Sequence, residues 1–268
     1  ETQTNGMLPN MLEGDIDPLT VAILVNAVHF KGDWTEQFNA SDTEKGIFTT
    51  NDGVEQEADF MHASRKIMSV MDVKELDGAD MVRLDYGKFD KENNRNAQAE
   101  YAALFIKPKD SGKEAMDGLI QSLAKLASGD GISPPTSSLG VIMGDQMSNR
   151  RKVNLSLPRF KIEYGTQSIK SHLKTLGMKS IFDDDEVLME MSSDRLVHLD
   201  DVLHKAVMEV TEEGTEAAAA TVGIVMTRSM PLPPIDMKFD RPFVMVVAHV
   251  DTMTPLFLAR VDDPQFSF

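Results

Sequence analysis

The sequence predicts an α+β fold with largely antiparallel sheets. Strand-length apolar segments are interspersed with short helical ones, and no regular β-α-β alternation connects them. Two apolar segments, 243–250 and 255–261, are separated only by the residues "DTMT", a length typical of a hairpin loop. The chain of 268 residues has no internal repeat and is 41% hydrophobic, which is enough for one large domain or two modest ones.

The first half of the chain contains two predicted core strands. The opening "TNGMLPNMLEGDIDP" has the punctuation of a helix end followed by turns. Residues 20–30, "TVAILVNAVHF", are rich in β-branched residues and almost continuously apolar, which is typical of a strand buried on both faces. Residues 99–108, "AEYAALFIKP", indicate a second core strand. Between them, the polar residues 90–98 are expected to form a solvated hairpin tip or loop.

Two segments are predicted to be helices. In 113–128 the apolar residues follow helical spacing and form one stripe, namely Met116, Leu119, Ile120, Leu123 and Leu126. The second helix is expected over 165–178, with Thr166 as its N-cap and Gly177 as its stop. Its apolar face would consist of Ile169, Leu173 and Leu176.

The later strands alternate with turns. Residues 151–162 place Val153, Leu155 and Leu157 on one face until Pro158, so they predict a half-exposed strand with a break. Residues 202–210, "VLHKAVMEV", predict a strand that leads directly into an unusual segment at 212–234.

Composition argues against several classes of partner. The net charge is −16, from 27 basic and 43 acidic residues, so neither nucleic acid nor an anionic membrane is expected to bind. The apolar runs are too short to cross a bilayer. The absence of cysteine excludes disulfides, thiol catalysis and zinc–thiolate sites.

No catalytic or metal-binding motif is present. The six histidines are scattered without an H-E-x-x-H spacing, and "DDDE" at 183–186 lacks the alternating ligands of a calcium loop. His204 lies in a strand pattern, where a buried, hydrogen-bonded histidine is favoured over a catalytic base. Nucleophile-elbow and phosphate-loop patterns are also missing. We therefore predict no enzyme, no metal and no cofactor.

Residues 212–234, "EEGTEAAAATVGIVMTRSMPLPP", combine helix-forming alanines with a glycine near their start and prolines after them. A helix and a flexible linker are both open interpretations. As a strand, the segment would direct only small residues to one face, namely Thr215, Ala217, Ala219, Thr221 and Gly223. Such a face would let the chain enter between two existing strands without displacing their side chains.

The sequence resembles the serpins over nearly its whole length. The hinge motif "EVTEEGTEAAAAT" (209–221) is accompanied by six further motifs in the order that the family has them. They are "LVNAVHFKGDW" (24–34), "LPRFKIE" (157–163), "LGMKSIFDD" (176–184), "VLHKAVMEV" (202–210), "DRPFVMVVAH" (240–249) and "PLFLARVDDP" (255–264).

The resemblance implies three β-sheets, surrounding helices and an exposed reactive loop at about 212–234. It also implies a suicide inhibitor, which a serine protease attacks to form a covalent acyl-enzyme before the hinge inserts into the central sheet. The hinge comprises Glu212, Gly214, Thr215, Glu216, Ala217, Ala218, Ala219, Ala220 and Thr221.

The family's spacing from Gly214 places the reactive bond at Arg228–Ser229, with a bond beside Met226 or Met230 left open. An arginine there implies a trypsin-like protease, whose pocket carboxylate recognises the guanidinium. We expect a monomer without a cofactor. The resemblance favours an extracellular location and leaves an intracellular one open.

Four further residues match supporting positions of the family. Asn26 and His204 match a pair that hydrogen-bonds where the central sheet must part, and Trp34 matches the aromatic at the top of that opening. Arg159 and Glu212 match a salt bridge at the base of the hinge. Each is expected to support opening of the sheet rather than to take part in chemistry.

The match begins near the end of the family's sixth helix. We therefore expect residues 1–268 to be a partial serpin domain without the N-terminal helices and two strands of the main sheet, and not to fold alone in an insertable state. His29 and Ala259 also depart from the family pattern. The alternatives to an inhibitor are a binding or carrier protein with the same fold, or an inactive fragment.

Overall fold

The structure is a computed structural model that describes residues 20–30, 32–71, 76, 78–87, 89–90, 95–96, 99–128, 148–184, 188, 198–213, 233–252 and 254–264. The strands are β1 Ile23–Phe30, β2 Glu44–Thr49, β3 Glu55–Met71, β4 Ala79–Tyr86, β5 Phe89–Asp90, β6 Arg95–Asn96, β7 Tyr101–Pro108, β8 Ser148–Pro158, β9 Phe160–Ser168, β10 Asp201–Val210, β11 Ile235–Lys238, β12 Phe243–His249 and β13 Thr254–Val261. The helices are α1 Lys113–Ser128, α2 Lys170–Thr175 and α3 Ser180–Asp183. The predicted helix end and turns at 4–18 lie outside the described residues.

The chain divides into two compact units. One combines residues 1–31 with 161–209, and the other combines 32–160 with 210–268. The described strands form sheets of three, eight and two strands, in which all pairs except β1–β10 and β11–β8 are antiparallel where their register is known. This confirms the predicted α+β class with mostly antiparallel sheets. No helix in the described ranges is both long and apolar enough to cross a bilayer.

The first unit contains the three-stranded sheet, in the order β1-β10-β9. Its small core is formed by Phe182, Leu199 and Val202, which are all less than 9% exposed. Half-buried apolar side chains pack around these three, namely Ala22, Ile169, Leu173, Ile181 and Leu188. The core therefore lies beside the N-terminal ends of β1 and β10.

Strand β1 is exposed, so the prediction that residues 20–30 are buried on both faces is wrong. Leu24 is 55% exposed and Val25 is 40% exposed. β1 lies at an edge of its sheet, where β10 is its neighbour among the described strands. An apolar strand is buried only when other layers cover its faces, and the described residues leave these two side chains uncovered.

The segment predicted as a helix over 165–178 is divided between a strand and a shorter helix. Gly165 and Thr166 belong to β9, and α2 begins only at Lys170. Thr166 is therefore not an N-cap, because pairing of β9 with β10 outweighs the local capping preference. Ile169, which precedes the helix, makes no side-chain cap hydrogen bond.

The end of this helix agrees better with the sequence. Gly177 follows α2 with a φ of +102°, a left-handed conformation that favours glycine, so the predicted stop is confirmed. Leu173 packs against the small core as predicted. Leu176 was expected on the same face, but it is 81% exposed because the helix has already ended.

The second unit is built on the eight-stranded sheet. Its main path runs β11-β8-β3-β4-β7-β12-β13, and β2 pairs with β3 beside that path. The predicted core strand at 99–108 is confirmed as β7, which is buried from Ala102 to Pro108. The predicted hairpin is confirmed by β12 and β13, which pair from Phe243↔Val261 to His249↔Thr254.

Helix α1 covers this sheet through its predicted apolar stripe. Met116, Leu119 and Leu123 are buried against strand residues such as Leu104 and Val246, and Ile120 packs beside them. At an apolar burial worth roughly 1.5–3 kcal/mol per large side chain, this stripe fixes the helix on the sheet. The side chain of Leu126 lies outside the described residues.

Two predicted irregularities also agree with the structure. β8 buries Val153, Leu155 and Leu157 and ends at Pro158, after which Arg159 separates it from β9. Residues 90–98 were expected to be a hairpin tip or loop. Within them and their neighbour Phe89, the two-residue strands β5 and β6 pair in an antiparallel ladder.

Candidate functional site

The first unit contains a candidate site that we call the seam, defined here as the ladder between β1 and β10. The two strands pair in parallel over eight residues, from Ile23↔Asp201 to Phe30↔Met208. Asn26 and His204 are direct partners near the middle of this ladder. The seam is therefore closed by main-chain pairing over its whole described length.

The predicted pair of side chains meets across the seam. Asn26 Nδ2 lies 3.3 Å from His204 Nδ1, so the amide donates a hydrogen bond when Nδ1 is the unprotonated ring nitrogen. Asn26 is exposed, and His204 is half-buried rather than buried as the sequence predicted, because its partner strand β1 is itself exposed. Such a pair adds a side-chain link to the main-chain ladder and contributes about 1 kcal/mol at most in this solvated position.

The second unit contains a separate candidate site, the hinge base, defined as residues 211–213, which follow β10 in the sequence. Three neighbouring groups donate to its three successive carbonyl oxygens. Trp34 Nε1 donates to Thr211 at 2.9 Å, the main-chain N–H of Phe38 donates to Glu212 at 3.1 Å, and Gln37 Nε2 donates to Glu213 at 2.8 Å. The main chain is thus held up to the residue before Gly214.

Trp34 is positioned by the core of this unit. The indole is 4% exposed and stacks on the Tyr86 ring, with 4.2 Å between centroids and 17° between planes. Phe105 lies against it at 6.2 Å. Burial raises the pKa of Tyr86 well above its ordinary value, so the phenol that stacks on Trp34 is neutral at physiological pH.

The Glu212 side chain is the buried charge of the hinge base. It is 7% exposed, and its Oε1 accepts a hydrogen bond of 2.6 Å from Thr43 Oγ1. Arg159 Nε lies 3.4 Å from Oε2, as an ion pair rather than a well-aligned hydrogen bond. The main-chain N–H of Arg159 donates to Asp59, which fixes the basic residue where β8 gives way to β9.

The structure therefore brings the predicted supporting residues into two groups. Asn26 meets His204 at the seam, while Trp34 and Arg159 meet the hinge base. Gly214 to Thr221, Arg228 and Ser229 lie outside the described residues, and of the predicted hinge only Glu212 is described. Gln37 and Thr43 were not predicted, because nothing in their local sequence indicates a partner 169 or more residues away.

The described residues include no group of three or more His, Asp or Glu side chains placed to hold a metal ion. Asp183, from the acidic run considered for calcium, instead pairs with Lys174 at 2.5 Å.

Solved structures define the fold class of this arrangement. The chain matches a structure of a tumour suppressing serpin with a TM-score of 0.74 at 21% identity, covering 97% of this chain and 62% of that one. It matches Arabidopsis AtSerpin1 in its native stressed conformation with a TM-score of 0.72 at 31% identity, covering 98% of this chain and 63% of that one. The fold is that of the serpins.

The sequence comparisons agree. The family model described as Serpin (serine protease inhibitor) matches residues 1–264. The chain belongs to the serpin family, as its motifs predicted. Serpin B10 of Sorex araneus is 34% identical over 266 residues, and Serpin-ZX of Arabidopsis thaliana is 33% identical over 274. These alignments cover 98% of this chain but 60% and 63% of the relatives, so the chain spans about three fifths of their length.

Proposed function

We propose that the full-length protein is an inhibitor of trypsin-like serine proteases that acts as a suicide substrate. The observation that carries the proposal is the direct parallel pairing of β1 with β10, whose C-terminal end leads into the loop. A segment that folds back after β10 runs antiparallel to β10 and hence to β1. Placed between them, it replaces one parallel ladder with two antiparallel ladders, which are slightly more stable per residue.

The composition of the hinge supports the same proposal. Thr215, Ala217, Ala219 and Thr221 would share one face of the inserted strand. Their small side chains need little space within a packed layer, where adding even a few methylene groups costs about 1–3 kcal/mol. The hinge base, held by Trp34, would serve as the fixed point from which the strand starts.

We place the reactive bond at Arg228–Ser229. The protease serine Oγ attacks the carbonyl carbon of Arg228 while the protease histidine takes the hydroxyl proton. When the tetrahedral intermediate collapses, the C–N bond breaks and that proton passes to the new amino group of Ser229. Arg228 remains esterified to the protease. Insertion of the hinge would then carry the acyl-enzyme away before water can hydrolyse the ester.

Incubation with trypsin tests the proposal. A covalent complex should survive SDS and heat, and the released C-terminal peptide should begin at Ser229. An N-terminus beside Met226 or Met230 would relocate the reactive bond. Cleavage without a stable complex would reject inhibition and favour a carrier function, particularly if cleavage leaves the melting temperature unchanged.

A matched pair of variants separates insertion from loop binding. Thr215→Arg should convert the inhibitor into a substrate, because a charged side chain would have to enter the packed face. Glu216→Arg, at the neighbouring position, points to the opposite face and should retain complex formation. The number of inhibitor molecules consumed per protease measures both. Equal values for the two variants and the unmodified protein would contradict strand insertion.

A further inference from the structure

The N-terminal end of β10 has two adjacent carboxylates that bond to different parts of the first unit. Asp200 Oδ2 accepts hydrogen bonds from the main-chain N–H groups of Val21 at 2.6 Å and Ala22 at 3.0 Å, just before β1. The N–H of Asp200 in turn donates to the Ala22 carbonyl at 2.8 Å. Asp201 Oδ1 instead accepts from Ser168 Oγ, at the end of β9.

Asp200 is held in place from several directions. Lys170 Nζ donates to its carbonyl at 2.7 Å, and His198 Nε2 lies 3.3 Å from Oδ1. The N–H donors of Ala22 and then Val21 hold the pKa of this carboxyl below its ordinary value, and His198 lowers it further. The adjacent Leu199 is buried in the small core that Ala22 also contacts. These contacts extend the closed seam by two residues beyond the main-chain ladder.

The length of the loop makes this end of the seam relevant. Residues 214–228 are fifteen residues, whereas the ladder has eight pairs and the Asp200 contacts add two more positions. Inserted and existing strands rise by nearly the same distance per residue, so the counts can be compared directly. A strand inserted up to Arg228 would therefore run past Asp200 and separate it from Val21 and Ala22.

We propose that Asp200 is a clasp that closes the far end of the seam and that its release is required for the last stage of insertion. The inference rests on the proposed function, because a clasp on the seam matters only if the seam opens. Asp201 provides the internal comparison, because it bonds to Ser168 of β9 and β9 would stay paired with β10 during insertion. Its hydrogen bond should therefore exist in both the intact and the cleaved form. The clasp stabilises the closed form and is already broken in the fully inserted one.

The test compares Asp200→Ala with Asp201→Ala in the full-length protein, each melted intact and after cleavage of the loop. Asp200→Ala should lower the melting temperature of the intact form by roughly 3 °C and leave the cleaved form almost unchanged. Asp201→Ala should lower both forms by similar amounts. Asp200→Asn, which keeps an oxygen acceptor, should give a smaller loss confined to the intact form, and it replaces the alanine variant if that one does not fold.

The outcomes separate the two proposals. If cleavage fails to raise the melting temperature of the unmodified protein, the insertion mechanism is wrong, and the proposed role of Asp200 is then wrong as well. If cleavage raises it normally but the Asp200 variants lose as much stability when cleaved as when intact, the clasp alone is refuted. A loss confined to the intact form, absent for Asp201→Ala, supports the clasp.

Discussion

Removal of the Glu212 carboxylate should destabilise the closed form far more than removal of an exposed carboxylate at the same ion-pair distance. Glu212 lies 3.4 Å from Arg159, with the two side chains 9% and 22% exposed. Glu57 lies 3.4 Å from Lys45, with both side chains 64% exposed. The two ion pairs therefore differ in solvation and not in length, which makes Glu57→Ala a matched control.

The magnitude follows from what each variant leaves behind. Glu212→Ala removes the hydrogen bond from Thr43 and the ion pair with Arg159 from a site where Glu212 is only 9% exposed, which should cost about 3 kcal/mol. In a full-length protein of its relatives' size that loss corresponds to a fall in melting temperature of roughly 3 °C. Glu212→Gln keeps an acceptor for Thr43 and should lose about half as much. Glu57→Ala leaves Lys45 solvated and still paired with Asp59 at 2.9 Å, so it should cause no measurable change.

Differential scanning fluorimetry of the intact full-length protein measures all three variants. Addition of salt should leave the loss of melting temperature in Glu212→Ala nearly unchanged, because buried ion pairs are screened much less than exposed ones. Equal losses of melting temperature for Glu212→Ala and Glu57→Ala would refute the reasoning, because burial would then contribute nothing to the strength of the ion pair at the hinge base.

Three further variants test the second unit, two by calorimetry and one by pH-dependent melting. A Cβ at Gly46 would lie 2.7 Å from the ring of buried Phe60, so Gly46→Ala should destabilise the protein by about 1–3 kcal/mol. A Cβ at Gly118, in α1, would meet open space, so Gly118→Ala should stabilise the protein by about 0.5–1 kcal/mol. A loss at both positions would contradict the packing. Burial and then the charge of Arg241 lower the pKa of Lys107 in the folded state below 10.5. Between that lowered pKa and pH 10.5 the unfolded state binds more protons than the folded state, so the free energy of unfolding should rise with pH. Lys107→Met should abolish this rise, and an unchanged pH dependence would show that Lys107 is not its source.

The sequence predicted best those elements whose stability depends on their own pattern. The stripe of α1, the alternation of β8 and the stop at Gly177 each follow from local spacing or backbone conformation, and each is present in the structure. The start of α2 could not be predicted in this way, because Thr166 has the local properties of a cap but lies in a paired strand.

The same distinction between sequence pattern and tertiary contact applies to the residues of the candidate sites. Asn26, His204, Trp34 and Arg159 were placed by the family's motifs, and the structure brings each to a partner. The contact between Thr43 and Glu212 joins residues 169 positions apart and depends only on the tertiary fold. No local pattern could therefore have indicated it.

The contacts on the two sides of β10 differ in whether they must break when the seam opens. Opening the seam breaks one parallel ladder, the Asn26–His204 hydrogen bond and the Asp200 contacts, while the Asp201–Ser168 bond on the side of β9 can remain. If the hinge inserts as proposed, two antiparallel ladders would replace one parallel ladder, so main-chain pairing alone would favour the inserted form. The closed form would then persist because β1 and β10 must separate before the new strand can pair with either of them. The Asn26–His204 hydrogen bond and the Asp200 contacts exist only while the seam is closed. Under the proposed insertion, substitutions at Asn26 and Asp200 should therefore affect the intact protein and not its cleaved form.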